Sequence, residues 1–230
     1  MDRLIDLLPL PYTDAVVVLG ALVLGVVSGV LGTIAVLRER SLVGDALSHA
    51  ALPGVCVAFL ATGAKEAGGL LAGAAVAGIV AAVGIVIIER GGRIRADAAI
   101  GVVLSSAFSL GIVLLTAIAN RPDADQAGLE RYLFGQAAGL SEHDVAVTGA
   151  IGLVGLAIVA LGFRALKTTL FDPAYAAAAG LPVRLLDLGM TALLVLAVVV
   201  GVRMVGAILM VAMLVSPGVA ARQLTDRMSR

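Results

Sequence analysis

The chain has 230 residues, no formal net charge and 60% apolar residues, against roughly 45–50% for an ordinary soluble domain. With a mean hydropathy of +1.09 it is an all-α, polytopic membrane protein, and its charge balance shows no nucleic-acid footprint. A single cysteine forbids an intrachain disulfide and says little about redox compartment.

Met1 to Asp14 is a short polar lead containing Pro9 and Pro11. The first span is expected over about Ala15 to Leu37. It follows an acidic lead-in and is too long for the core of a signal peptide, so no cleavable signal is read there. Gly25 and Gly29 are spaced for close helix contact, as are Gly69 and Gly73 further on. A second span is expected over about Leu42 to Thr62 and a third over about Gly68 to Ile88. Glu89 to Asp97 reads as a basic loop, with Asp97 as the N-cap of a fourth span ending near Ala119. Asn120 to His143 is the longest polar segment. Its acids Asp123, Asp125 and Glu130 read as a solvated loop, with contact to a donor protein or cation gathering as the functional reading.

Ser141 and Asp144 then read as helix-start residues, which makes His143 part of a cap rather than a ligand. A fifth span is expected over about Asp144 to Leu166. Between Lys167 and Arg184 a small helix is written with both of its ends. Asp172 is the N-cap, Pro173 suits the first position, Ala174, Tyr175 and the following alanines propagate, and Gly180 terminates. Leu185 to Val219 is too long for one span and is expected to break near Arg203 into a sixth and a seventh.

The polar residues that stand out are in Leu37 to Cys56, where an acid, a histidine, a proline and the cysteine interrupt two apolar runs. Asp45 and His49 are four apart and share one helix face. A carboxylate and an imidazole suit a borderline divalent transition metal. Pro53 has no N–H to give the His49 carbonyl, so a helix running through it leaves that oxygen without its usual donor. Ionisable groups inside spans default to function, though a buried Asp–His hydrogen bond or a helix cap is the plainer alternative. Cys56, seven residues after His49 and on the same face, would suit zinc but reads more simply as a small packing residue. Two ligands do not close a site; doubled across a two-fold axis they become four, which argues for a dimer.

Cationic residues set the orientation. Arg38, Arg40, Arg90, Arg93, Arg95, Arg164, Lys167, Arg184, Arg222, Arg227 and Arg230 fall on one side, and only Arg3, Lys65, Arg121, Arg131 and Arg203 on the other. The N-terminus is therefore expected outside the cell membrane, with the small helix on the cytoplasmic side.

Three blocks, RERSLVGDALSHAALPG (Arg38 to Gly54), LKTTLFDPAYAAAAGLPV (Leu166 to Val183) and VGAILMVAMLVSPGVAARQLTDR (Val205 to Arg227), resemble the membrane permease subunit of ABC-type manganese, zinc and iron importers. The resemblance implies a single transmembrane permease domain over the whole chain, paired as a homodimer or pseudodimer. It also implies cytoplasmic ATP-binding partner chains and an extracytoplasmic metal-binding protein. Asp45 and His49 fall on the family's metal-coordinating acid and histidine, and Asp172 to Gly180 on the segment that docks into the ATPase. The metal ion is cargo rather than a resident cofactor. Family members usually carry roughly two further spans, so a short or truncated form is expected. No GxxxxGK phosphate loop occurs, which assigns nucleotide hydrolysis to a separate chain rather than to this subunit. Two alternatives remain. A permease for a chelated metal or siderophore would not need an Asp–His pair. An intramembrane metallohydrolase needs about three ligands and a base, while the only other histidine, His143, is expected outside.

Overall fold

The computed structural model describes residues 11–38, 40, 42–63, 66–90, 94–120, 135 and 141–224. Among these the chain forms eight α-helices and no strand. They are α1 (Tyr12–Leu37), α2 (Val43–Thr62), α3 (Ala67–Arg90), α4 (Ala96–Ala119), α5 (Glu142–Phe171), α6 (Pro173–Ala178), α7 (Val183–Val205) and α8 (Ala207–Leu224). All but α6 are long and apolar enough to cross a membrane. The protein is thus a multi-pass membrane protein with the seven spans expected from its sequence.

Three local expectations are corrected. Asp97 is not an N-cap: Arg95 caps α4 without a side-chain hydrogen bond, and Asp97 lies in the first turn, where the helix dipole favours a carboxylate. Glu89 lies inside α3, because the helix runs on to Arg90 instead of yielding to a loop. α5 continues to Phe171, a length of about 45 Å at 1.5 Å per residue, so Arg164 and Lys167 sit on helix that outruns its apolar stretch. The break between the last two spans falls near Arg203 as expected, at Gly206. Gly206 has φ +86°, a left-handed conformation that glycine adopts without strain, while Arg203 stays in the last turn of α7.

The chain divides into two compact units. One holds Met1–Glu39, Ala137–Ala197 and Met213–Arg230; the other holds Arg40–Gln136 and Val198–Ala212.

In the first unit α1 packs along α5, where Gly152 admits the Val27 side chain so closely that a methyl group there would collide with it. Gly25 and Gly29 do face α8, opposite Met213 and Pro217, but at an ordinary 3.6 Å. The tight crossing comes one turn later, where Gly32 lies against the Leu214 carbonyl. Ser141 and Asp144 form a full capping box at the start of α5. The Tyr12 hydroxyl donates to Glu142 Oε1 at 2.5 Å, joining the starts of α1 and α5. The Arg38 guanidinium meets Asp187 at 2.6 Å, joining the end of α1 to the first turns of α7.

In the second unit α2 is the centre. Its apolar window is 72% buried, against 28% and 22% for α3 and α4, which flank it. α2 and α3 cross backbone to backbone. A methyl group on Gly73 would lie 2.5 Å from the Gly54 carbonyl oxygen and 2.6 Å from the Ala58 Cβ. Gly69, by contrast, faces open space. α4 approaches at Gly111, where a methyl group would sit 2.7 Å from Leu52 and 3.0 Å from the Pro53 ring.

Candidate functional site

Asp45 is in the first turn of α2 and His49 one turn later. The His49 Nε2 lies 3.3 Å from Asp45 Oδ1, with the side chains 27% and 34% exposed respectively. The two polar groups are therefore together, on one face, and open on one side. His49 Nδ1 is buried and has no hydrogen-bond partner, while its ring stands edge-on to Phe108 of α4 with centroids 4.9 Å apart. The helix runs through Pro53, so the His49 carbonyl lacks the donor that residue 53 would supply. One turn of α2 thus presents a carboxylate, an imidazole with an unused nitrogen and a carbonyl oxygen. These are the donor types that take a borderline divalent ion.

Cys56 is not brought into this group. It lies about 10 Å further along α2, fully buried, with its sulfur 4.0 Å from the Gly111 carbonyl oxygen. Among the described residues no three of His, Cys, Asp and Glu come together as a metal-holding set. Among the described residues the pair therefore stands by itself. Beside it, a cavity of about 600 Å³ runs between α2, α3 and α4, lined by small and apolar residues such as Ala50, Gly54, Gly73 and Ala77. Ser106 is its one side-chain hydroxyl, and that donates to the Val103 carbonyl at 3.1 Å. Among the described residues no ionisable side chain lines the cavity.

A second pair stands at the foot of α2. Arg40 Nη2 donates to Glu89 Oε2 at 2.8 Å, and the other oxygen of Glu89 is buried without a partner. Neither Phe108 nor Glu89 was singled out by sequence reasoning, because each reaches α2 from another helix and no spacing signals it.

The small helix α6 forms as its residues dictate. Asp172 closes α5, donating its N–H to Thr168, and opens α6, its Oδ1 accepting the Tyr175 N–H at 2.8 Å. At the other end Gly180 has φ +80°, its N–H donates to the Ala177 carbonyl, and the Leu181 N–H reaches back to Ala176, the paired bonds of a Schellman cap. Ala176 is buried; Pro173, Ala174, Tyr175 and the remaining alanines are exposed. His143 lies in the first turn of α5, beside the capping box. The acids Asp123, Asp125 and Glu130, and the cations Arg3, Lys65, Arg93, Arg121, Arg131, Arg227 and Arg230, lie outside the described residues.

Seven apolar helices, one interrupted by an acid–histidine pair and another followed by a capped, exposed helix, define a multi-pass membrane protein. The chain belongs to the ABC 3 transport family, whose model matches residues 13–230. It is 45% identical over 213 residues to the manganese transport system membrane protein MntC of Bacillus subtilis (strain 168), a match covering 93% of this chain and 49% of that protein. It is 46% identical over 215 residues to the zinc transport system membrane protein TroC of Treponema pallidum (strain Nichols), covering 94% and 72%. Among solved structures, PsaBC from Streptococcus pneumoniae in complex with Fab matches with a TM-score of 0.80 and 33% identity, covering 99% of this chain and 79% of that one. The chain spans about half the length of the Bacillus protein.

Proposed function

We propose that the chain is the pathway subunit of an ATP-driven importer for a divalent transition metal ion, manganese, zinc or iron. The observation that carries this reading is the Asp45–His49 pair, 3.3 Å apart and half-open on the most buried span. Both groups are expensive in a bilayer, and a bound cation would neutralise the carboxylate and use the imidazole lone pair. Two ligands from each of two copies would give four, so the working unit is a dimer with the pairs at its axis. The similarity to manganese and zinc transport proteins supports this cargo.

The partners follow from the same reading: a cytoplasmic ATP-binding subunit docking on α6, and an extracytoplasmic metal-binding protein delivering the ion. α6 supports the first. Six residues are too few to persist alone in water, yet both ends are capped and the outer face is one aromatic ring among alanines. Docked from the cytoplasm, α6 would move α7, which follows it directly after Pro182. The cation distribution supports a cytoplasmic α6 in the cell membrane and an extracytoplasmic N-terminus.

Asp45→Ala and His49→Ala should each lower uptake of radioactive Mn²⁺ at limiting metal by at least about tenfold in cells supplying the partner chains, with the protein still inserted. Near-normal uptake by either variant removes the site. A chelate permease is separated by the cargo: bare Mn²⁺ should bind the wild-type chain, and a siderophore complex should not.

A further inference from the structure

We propose that Glu89 keeps Asp45 available to a cation by holding the Arg40 guanidinium away from it; this rests on the Asp45–His49 reading above. Arg40 stands just before α2, and its carbonyl accepts the Val43 N–H at 3.1 Å, so the chain is already turning into the helix there. Asp45 follows five positions later, in the first turn of α2, and a long arginine side chain just ahead of a helix can swing toward a carboxylate there. Such a guanidinium competes directly with a metal ion for the same oxygens.

Yet Arg40 is turned to α3. Its Nη2 lies 2.8 Å from Glu89 Oε2, with the side chains 28% and 17% exposed. Among the described residues Asp45 meets no guanidinium or ammonium group; its partner is His49. The three side chains Arg40, Glu89 and Asp45 sum to one negative formal charge, which a divalent cation answers. Without the Glu89 charge that sum is zero, and Arg40 is left partly buried, five residues ahead of Asp45 in the chain. The geometry of Glu89 argues against a pair built only for stability. Its Oε1 is buried without a donor, a deficit that an arginine fork gripping both oxygens would have removed. Glu89 is thus a positioning residue acting through Arg40, not a metal ligand.

The test is Mn²⁺ binding to the full chain in lipid nanodiscs, read from the electron paramagnetic resonance signal of free Mn²⁺. Four variants are compared with the wild type, each first checked for an unaltered thermal unfolding profile: Glu89→Gln, Arg40→Gln, the double variant, and Asp45→Ala. Glu89→Gln should weaken binding about fivefold or more, equivalent to ~1 kcal/mol. The double variant should return to within about twofold of wild type, because the competing charge has gone with its keeper. Arg40→Gln alone should bind at least as well as wild type. A double variant as weak as Glu89→Gln would mean that Glu89 binds metal or shapes the fold itself, and overturns the proposal, as does wild-type binding by Glu89→Gln. Retained binding by Asp45→Ala would instead overturn the metal site on which the proposal stands.

Discussion

The crossing of α2 and α3 offers a test of how the candidate site is held, through Gly54→Ala. The added methyl would collide with the Gly73 carbonyl and lie 2.6 Å from the Ala77 Cβ and 2.8 Å from the Gly73 carbonyl carbon. Carbon atoms in ordinary contact are ~3.5–4.0 Å apart, so the two helices must separate by about 1 Å. Both contacts are with backbone or Cβ atoms, which have no rotamer to escape by. Overpacking of this kind costs about 1–3 kcal/mol, or a fall in Tm of roughly 2–12 °C for a chain of this size. Cys56 reports it directly, being the only cysteine and fully buried two positions along the same helix. A fluorogenic maleimide will label it only as α2 comes away from its neighbours, so labelling against temperature gives the transition. Gly101→Ala is the control, since among the described residues its added methyl meets no atom of a neighbouring helix within 4 Å. Equal transitions for the two variants would refute the backbone crossing. Because His49 is five residues from Gly54, Mn²⁺ binding should weaken in Gly54→Ala as well.

Gly180→Val forces a β-branched residue to φ +80° and undoes the end of α6. We expect ATP hydrolysis to uncouple from transport, or assembly to fail, with Mn²⁺ binding to the isolated chain unchanged; Ala174→Arg, on the exposed face, should do the same. Normal assembly and transport by both would make the segment a linker. Cys56→Ala should leave Mn²⁺ binding within about twofold of wild type, since the thiol lies ~10 Å along the helix from His49; a tenfold loss would return Cys56 to the ligand set.

The helices were legible because their signals are local. Apolar length marked every span, and Asp172, Pro173 and Gly180 wrote α6 nearly to the residue. The Asp45–His49 pairing was legible for the same reason, since four residues of helix bring two side chains together without help from elsewhere. The illegible parts depend on contacts between distant segments. Gly25 and Gly29 have the spacing of a tight crossing, yet the close approach is at Gly32, because it is Leu214 on α8 that decides where the backbones meet. Gly69 and Gly73 look equivalent in sequence, but only Gly73 has Gly54 opposite it. The charge of Glu89 ends an apolar run and reads as loop, but its pairing with Arg40 lets the helix carry it.

Polar groups in these spans mostly compensate for themselves. Ser28, Thr33 and Ser48 each return a hydroxyl to the carbonyl four residues back, at 2.6–2.7 Å, and so hide their polarity inside their own helices. Asp45 has the first turn of α2, where the helix dipole steadies a negative charge. Against that background, among the described residues two buried atoms are exceptions, His49 Nδ1 and Glu89 Oε1, each left without a partner. An unpaired buried polar atom costs on the order of 1–3 kcal/mol, more than most surface substitutions change. Both lie in the second unit and belong to the two polar pairs of α2, one within its first two turns and one at its foot. Packing alone would have replaced either with an apolar residue of similar size. His49 Nδ1 is the nitrogen left over for the proposed cation, and Glu89 Oε1 belongs to the residue proposed to hold Arg40 away from it, so the two unsatisfied atoms fall on the two groups that the proposed site needs.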